Sequence, residues 1–407
     1  MTRRFPEGFL WGCATAAHQV EGGSTNNNWW RFEQEGHILT GESSLVANDH
    51  WHRYREDFAL LSGLHNNAHR LSIEWSKVEP EPGRFDEGAI EHYRDVLREL
   101  RRLGMTPVVT LLHFTTPLWF EDRGGWAGSG AVDAWLPFVE RVARSLGDLA
   151  GLWCTINEPN IMALMGWVGG EFPPGRLRDL RGFYRVLRNL RQAHEAAYRL
   201  LHRITPGIGV GLAHNLWHLI PERLITADRL AAAFGTAVTG RWPLRPWRWP
   251  EVVTATCDWV GLNHYTGELV RFDPTNPAQV FTRRTNPSGL PESDFGWVLN
   301  PRWMRRALRQ LAHLRKPVYI TESGVSVHDD RIRVAYLPQL LGEVWGAIQE
   351  GVDVRGYLHW TAIDNFEWAH GYSQPFGLIA FDPLTQERTV KPSGELFARI
   401  AARNALD

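Results

Sequence analysis

Two glutamates stand where acid–base chemistry would need them. Glu158 lies in CTINEPN (154–160), after the apolar run LWCTI and directly before a proline. Glu322 lies in KPVYITESG (316–324), again at the end of an apolar run. Brought into one pocket, paired carboxylates can cleave a glycosidic bond. One stays protonated and donates to the leaving oxygen; the other stays ionised and attacks the anomeric carbon. A single Glu-Pro would more simply be a solvated acid before a turn proline, and it is the second acid in a matching context that argues for the pair. Environment must separate their roles. Arg70, in HRLSIEW (69–75), is the one cation among the candidate strand ends, and a guanidinium beside a carboxylate keeps it charged. The phenol of Tyr265, in GLNHYTG (261–267), could hold the same oxygen. We assign Arg70 and Tyr265 to Glu322 and leave Glu158 as acid and base, a pairing that spacing alone does not fix. Asn157 stands beside the acid, where an amide can hydrogen-bond a sugar 2-hydroxyl, a contact that strengthens at an oxocarbenium-like transition state.

These residues are far apart in the chain, so the fold must gather them. Ile90, Tyr93, Val96, Leu97, Leu100 and Leu103 recur at spacings of three and four, one apolar helix face closed by Gly104, and TPVVTLLHF follows as a buried strand. Val132, Trp135, Leu136, Val139, Val142 and Leu146 repeat the pattern before LAGLWCTINEP. Asn300 and Pro301 read as N-cap and first residue of a helix carrying Met304, Ala307, Leu308, Leu311 and Leu314, with KPVYITESG next. Apolar strands alternating with amphipathic helices imply a parallel sheet covered by helices. Eight strand ends are found near Gln19, Arg70, His113, Asn157, His214, Asn263, Glu322 and Trp360. Eight such units predict an α/β fold: a single (β/α)8 TIM barrel, one catalytic domain over 1–407, with its site at the C-terminal ends of the strands. FLWGCATAAHQVEGG lacks the G-x-G-x-x-G that a doubly wound nucleotide-binding sheet would carry after its first strand. In a barrel the strand-end residues converge, and Gln19, Arg70, His113, Asn157, Glu158, Asn263, Tyr265, Glu322 and Trp360 are types that a core would not want there.

Composition narrows the partners. The formal net charge is −1, which favours neither nucleic acid nor an anionic membrane. The twenty tryptophans suit stacking on the apolar faces of sugar rings as well as core filling. Cys13, Cys154 and Cys257 are odd in number, widely spaced and set in apolar stretches, which reads as buried thiols in a reducing compartment. MTRRFPEGFLWGCATAA has paired arginines and an Ala-x-Ala, as a leader might, but Glu7 interrupts it and its apolar run is short. It reads as the first barrel strand and the protein as cytoplasmic. In RLRDLRGFYRVLRNLR (176–191), Leu177, Leu180, Tyr184, Leu187 and Leu190 alternate with arginines at helical spacing, a solvated helix rather than a nucleic-acid patch. The tryptophan-rich RWPLRPWRWP (241–250) could serve as a ligand platform, a packed surface loop or a subunit contact.

At this density of motifs the chain resembles glycoside hydrolase family 1, the β-glucosidase and β-galactosidase family. The resemblance runs from GFLWGCATAAHQVEG (8–22) through DHWHRYREDFALLSGL (49–64), HRLSIEWSKVEP (69–80), TINEP (155–159), GLNHYTG, YITESG (319–324) and DNFEWAHGYSQPFGL (364–378) to KPSGELF (391–397). It implies a barrel that retains anomeric configuration and uses no metal or other cofactor. It implies Glu158 as acid/base and Glu322 as nucleophile, supported by Arg70 and Tyr265. Gln19, His113, Asn157, Glu367 and Trp368 would bind the glycone hydroxyls, Asn263 and Tyr265 would also bind substrate, Trp360 would be the stacking platform and Phe376 would lie near the sugar 6-position. Glu158 stands where the thioglucosidase branch has Gln. Glu367 stands where the phospho-glycosidase branch has small residues, and its charge is expected to repel a 6-phosphate. Phe114, Asn160, His264, Ser323 and His370 depart from frequent family choices, which bears on the aglycone rather than on the reaction. The segment between Gly240 and Asp258 is short, so an access loop is expected to be trimmed.

The implied activity is a retaining exo-β-glycosidase acting on β-glucosides and also β-galactosides or β-fucosides. The implied partners are small-molecule β-glycosides, with no nucleic acid or membrane, and a homo-oligomer is left open. Two rivals remain: a catalytically silent sugar-binding barrel, which loss of either glutamate would favour although both are present, and an inverting enzyme, whose carboxyls would stand about 6.5–9.5 Å apart rather than about 5–5.5 Å.

Overall fold

The computed structural model describes residues 2–239, 249–276 and 281–407. Eight parallel strands close on themselves: β1 (Leu10–Ala14), β2 (Ala68–Ser72), β3 (Thr106–Leu112), β4 (Leu152–Asn157), β5 (Gly209–Asn215), β6 (Trp259–Asn263), β7 (Val318–Ser323) and β8 (Val354–Trp360). Each pairs with its sequence neighbour, and β8 pairs with β1, Tyr357 facing Trp11 and Trp360 facing Ala14. This is the α/β barrel expected from the alternation. The segment weighed as a leader supplies β1, whose Trp11 and Cys13 are buried.

The helices follow their apolar stripes. The helix Glu87–Arg102 buries Ile90, Tyr93, Val96, Leu97 and Leu100, and the Asp86 side chain caps it by accepting from the Ala89 N–H at 2.9 Å. Gly104 past its end takes the left-handed φ of +76° that favours glycine. The helix Arg302–Leu311 starts one residue later than expected, so its N-cap is Pro301 rather than Asn300; the Asn300 side chain accepts from the Arg302 N–H at 3.2 Å from just outside the helix. The arginine-rich stretch needs a correction. Its helix is Leu180–Ile204, and the buried face is Phe183, Val186, Leu187 and Leu190; Leu177 and Leu180 are 73% and 59% exposed. Leu177 precedes the helix, so the apolar stripe begins a turn later than the leucine spacing implied.

Three further features lie outside the eightfold pattern. Arg3–Arg4 pairs with Ala405–Leu406, tying the two ends of the chain together. A three-stranded sheet, His218–Pro221, Gly267–Phe272 and Thr282–Thr285, follows β5 and β6 and was not anticipated from sequence. Residues 240–248, most of RWPLRPWRWP and of the segment expected to be trimmed, lie outside the described residues. Among the described residues, no helix is long and apolar enough to cross a membrane. All three cysteines are free and buried.

Candidate active site

The strands deliver their polar residues to one cavity of about 450 Å³, lined by His113, Glu158, Tyr265, Glu322, Trp360, Glu367, Trp368 and Phe376 among others. Local geometry explains the two acidic motifs. Glu158 is the first residue after β4, with φ +44°, its N–H donating to Ala213 O at 2.8 Å, and Pro159 opens the helix Pro159–Trp167 behind it. The proline suits that first helical position, where its missing N–H costs nothing. The left-handed backbone at Glu158 costs about 1–3 kcal/mol, strain of the kind held at working sites. Glu322 lies within β7. Gly324 after it must be glycine, because a Cβ there would meet Trp360 O at 1.9 Å.

Arg70 sits within β2 rather than at its end, fully buried, and its donors are all spent. Nε donates to Thr110 Oγ1 at 3.0 Å, Nη2 to Asn157 Oδ1 at 2.7 Å, and Nη1 to Thr321 O at 3.3 Å and to Glu322 Oε1. Tyr265 donates its phenol to Glu322 Oε2 at 2.7 Å. Both therefore meet Glu322, the pairing assigned from sequence. Among the described residues no cation bonds Glu158 directly: its Oε1 accepts amide hydrogens from Asn263 at 2.7 Å and Asn215 at 3.0 Å.

The electrostatics follow from those contacts. Burial pushes Glu158 up to about 8, with the charge on Glu322 adding to it and the two amide donors opposing. Burial also raises Glu322, but the Arg70 charge and the Tyr265 and Arg70 hydrogen bonds pull against it. Only Glu322 is paired directly with a guanidinium, so the surroundings favour a proton on Glu158 over one on Glu322. Burial, with the Arg70 charge beside it, lowers His113 well below the usual imidazole range, so its ring is neutral although Nε2 lies 4.0 Å from Glu322. Asn157 holds its Oδ1 toward Arg70 and Asn263 and so turns its amide hydrogens toward His113 Nε2, 3.1 Å away.

Gln19 lies five residues beyond β1, on the short helix Ala17–Val20, not at the strand end itself. Its amide donates to Asn365 Oδ1, Phe366 O and Glu367 Oε2 at 3.3, 2.9 and 3.1 Å, leaving Oε1 buried and, among the described residues, without a partner. Glu367 is pushed up to about 8, by burial first and then, against the Gln19 hydrogen bond, by the charge of Glu322. The repulsion of a 6-phosphate expected of Glu367 is thereby weakened, because its carboxyl is largely protonated at neutral pH. Trp360 and Trp368 lie near-parallel to the His113 ring, at 5.9 and 6.0 Å, and Phe376 meets Tyr265 at 5.8 Å.

The departures from family pattern sort by position. Phe114 lines the cavity with φ +71° and packs against Trp368, and His370 lines it against Phe295. Asn160 and His264 are buried behind it and do not line it; they bond the backbone carbonyls of Asn215 and Leu216. Sequence reasoning missed three sets of residues. Asn215 was one position from the His214 that marked the fifth strand, and the two-residue alternation of β5 turns Asn215, not His214, onto Glu158. Thr321 was overlooked beside Glu322. The outer wall, Phe172, Trp217, Phe295 and Trp297 with Glu171 and Arg284, comes largely from the loop and the side sheet after the strands. Phe295 and Trp297 stack at 4.5 Å, and Arg284 lies over Trp217 at 5.4 Å.

A buried guanidinium–carboxylate pair also fixes a stability expectation. Removing one partner leaves the other charged and uncompensated, at a cost of about 3–5 kcal/mol. Arg70→Met is expected to lower the unfolding free energy by that order, and the denaturation midpoint with it. It should also shift the ionisation of Glu322 upward, read as a higher-pH rise in the acidic limb of kcat/KM. An unchanged denaturation midpoint would remove Arg70 from the balance of the fold.

The glycosyl hydrolase family 1 model matches residues 1–249 and 248–406. The chain belongs to glycosyl hydrolase family 1. It is 33% identical to "Beta-glucosidase A" of Thermotoga maritima, across 100% of this chain and 99% of that protein. It is 30% identical to the "Bifunctional beta-D-glucosidase/beta-D-fucosidase" of Bifidobacterium breve, across 99% of each. Among solved structures, the family 1 β-glucosidase from Thermotoga maritima superposes with a TM-score of 0.93 at 32% identity, covering 100% of this chain and 99% of that one. The same enzyme in complex with deoxynojirimycin superposes with a TM-score of 0.93 at 31% identity and full coverage of both. This family 1 glycoside hydrolase thus shares the barrel of sugar-cleaving relatives over its whole matched length.

Proposed function

We propose that this chain is a retaining exo-β-glucosidase that also accepts β-galactosides and β-fucosides. The observation that carries the reading is the unequal surroundings of two buried carboxyls. Glu158 lies among amide donors and is pushed up to about 8, while Glu322 is charge-paired with Arg70 and bonded by Tyr265. The Glu322 carboxylate attacks the anomeric carbon and the bond to the aglycone oxygen breaks as Glu158 Oε2–H delivers its proton there. Glu158, now ionised, takes a proton from water, whose oxygen displaces Glu322 from the anomeric carbon and restores the starting state.

Asn157 gives one amide hydrogen to His113 and offers the other to the sugar 2-hydroxyl. Gln19, through its unpartnered Oε1, binds the glycone hydroxyls together with His113, Glu367 and Trp368. Asn263 works at this rim mainly through Glu158. Trp360 supplies the apolar face and Phe376 the wall near the 6-position. The chain acts as one catalytic domain over 1–407 on small-molecule glycosides, without a cofactor. Three buried thiols fit a reducing compartment, the cytoplasm.

The test is hydrolysis of aryl β-glucoside, β-galactoside and β-fucoside, with product anomers followed by proton NMR. A β-anomer formed first supports the reading; an α-anomer formed first, or no turnover of any of the three, overturns it. The pH profile has a defined sign. Activity in kcat/KM requires Glu322 ionised and Glu158 protonated, so it rises through the Glu322 pKa, above the ordinary carboxylate value, and falls through about 8.

A further inference from the structure

We propose that Thr321 is a positioning residue for the acid: through Asn263, and together with Asn215, it confines the Glu158 proton to Oε2. The proposal rests on Glu158 being the acid. A carboxylic acid accepts on its carbonyl oxygen and donates from its hydroxyl. Two amide N–H groups converge on Oε1, so Oε1 must be the carbonyl. Oε2 has no protein partner among the described residues, which leaves it for the substrate oxygen.

The arrangement works only if Asn263 presents nitrogen rather than oxygen to Glu158. An Asn amide can turn over, exchanging the two. Here it is locked from both sides. The Thr321 hydroxyl donates to Asn263 Oδ1 at 2.7 Å, and Asn263 Nδ2 donates to Asn157 Oδ1 at 3.0 Å as well as to Glu158. Asn157 is in turn fixed by Arg70 at 2.7 Å. Thr321 and Asn263 are fully buried, so water cannot replace the hydroxyl. Gly261 on β6 makes room for it: a Cβ there would lie 2.9 Å from Thr321 Oγ1. The strand that carries the nucleophile therefore also carries, in the residue just before it, the hydroxyl that orients the acid.

Without that hydroxyl, Asn263 can turn its oxygen to Glu158 and accept the carboxyl proton itself, away from the leaving group. Turning also removes a hydrogen bond that favours the ionised form. The other groups facing Glu158 are Glu322 on β7, Arg70 on β2, Tyr265 after β6 and Glu367 after β8, and all remain in place in the variants.

The experiment compares Thr321→Val, Thr321→Ala and Thr321→Ser with wild type on an alkyl β-glucoside, which needs the acid, and 2,4-dinitrophenyl β-glucoside, which does not. Thr321→Val is expected to lose roughly tenfold in kcat/KM on the alkyl substrate, the scale of one buried hydrogen bond. It should stay within about twofold on the dinitrophenyl one and shift its basic limb upward. Thr321→Ala should show the same pattern if the valine variant folds poorly, and Thr321→Ser should restore both readouts. Equal losses on both substrates, or an unmoved basic limb in folded Thr321→Val and Thr321→Ala, overturn the proposal. Glu158→Gln run alongside separates the two levels. If it too shows no leaving-group dependence, the acid assignment falls, and the proposal with it; if it shows a strong one while the Thr321 variants match wild type, only the proposal falls.

Discussion

Glu322→Gly is expected to abolish hydrolysis, lowering kcat by roughly 10⁵- to 10⁶-fold, the scale seen when a covalent nucleophile is removed. The reason is steric and electronic together. Glu322 is the carboxylate charge-paired with Arg70 and bonded by Tyr265, which is why we propose it as the ionised nucleophile of the pair. The variant leaves a space on the side of the sugar opposite the leaving group. Azide entering that space should attack an activated aryl β-glucoside and yield the α-glycosyl azide, with configuration inverted. Recovery of turnover with azide and the α-product, measured by NMR, would identify both the residue and the face of attack. Residual activity near the wild-type level, or a β-azide, would assign the nucleophile elsewhere.

Glu158→Gln gives the second large effect, and its size depends on the substrate. The amide cannot donate an acidic proton, so kcat/KM on alkyl glucosides or disaccharides should fall by about 10²- to 10⁴-fold. Dinitrophenyl glucoside forms the intermediate with little help, because its leaving group needs no proton. Its second step, however, has lost the base that activates water, so the glycosyl-enzyme should accumulate and a burst should precede slow turnover. Azide needs no base, and should release the intermediate as the β-glycosyl azide. The two variants thus give opposite azide anomers from one substrate. The basic limb near pH 8 should vanish in Glu158→Gln, since the group that titrates there is gone. A limb that persists would belong to another group. Glu367, also held at about 8, is the alternative, and Glu367→Gln would then remove it.

What could be read from the chain was whatever depends on local periodicity and on residues next to a strand end. The apolar runs and the three-four spacing of Ile90 to Leu100 specify strands and helices because a strand repeats every two residues and a helix every 3.6. Eight such units leave few ways to bury their faces other than a closed barrel. Once the barrel is assumed, Glu158, Asn157, Asn263 and Trp360 fall at one rim, since they end or directly follow their strands. Arg70 stood out as the only cation among those ends, and its burial next to Glu322 follows from how costly an unpaired guanidinium would be.

The tertiary structure decided what depends on the angle between elements. Asn215 and His214 are neighbours in sequence, and only the register of β5 against β4 and β6 turns Asn215 onto Glu158. Asn263 reads in sequence as a substrate contact; in the structure its amide bonds Glu158, Asn157 and Thr321, a consequence of β4, β6 and β7 delivering side chains to the same level of the barrel. The charge of Glu367 seemed secure in sequence and is undone by its depth in the cavity beside Glu322. The aromatic wall of Trp217, Phe295 and Trp297 has no spacing rule at all. Those residues leave the barrel after β5 and β6 and return over the mouth, so the path of the chain, not its local pattern, brings them together. Sequence determined which chemistry the strand ends could support. The closed barrel decided which oxygen of Glu158 is left free to perform it, because burial and hydrogen-bond direction are properties of the assembled site.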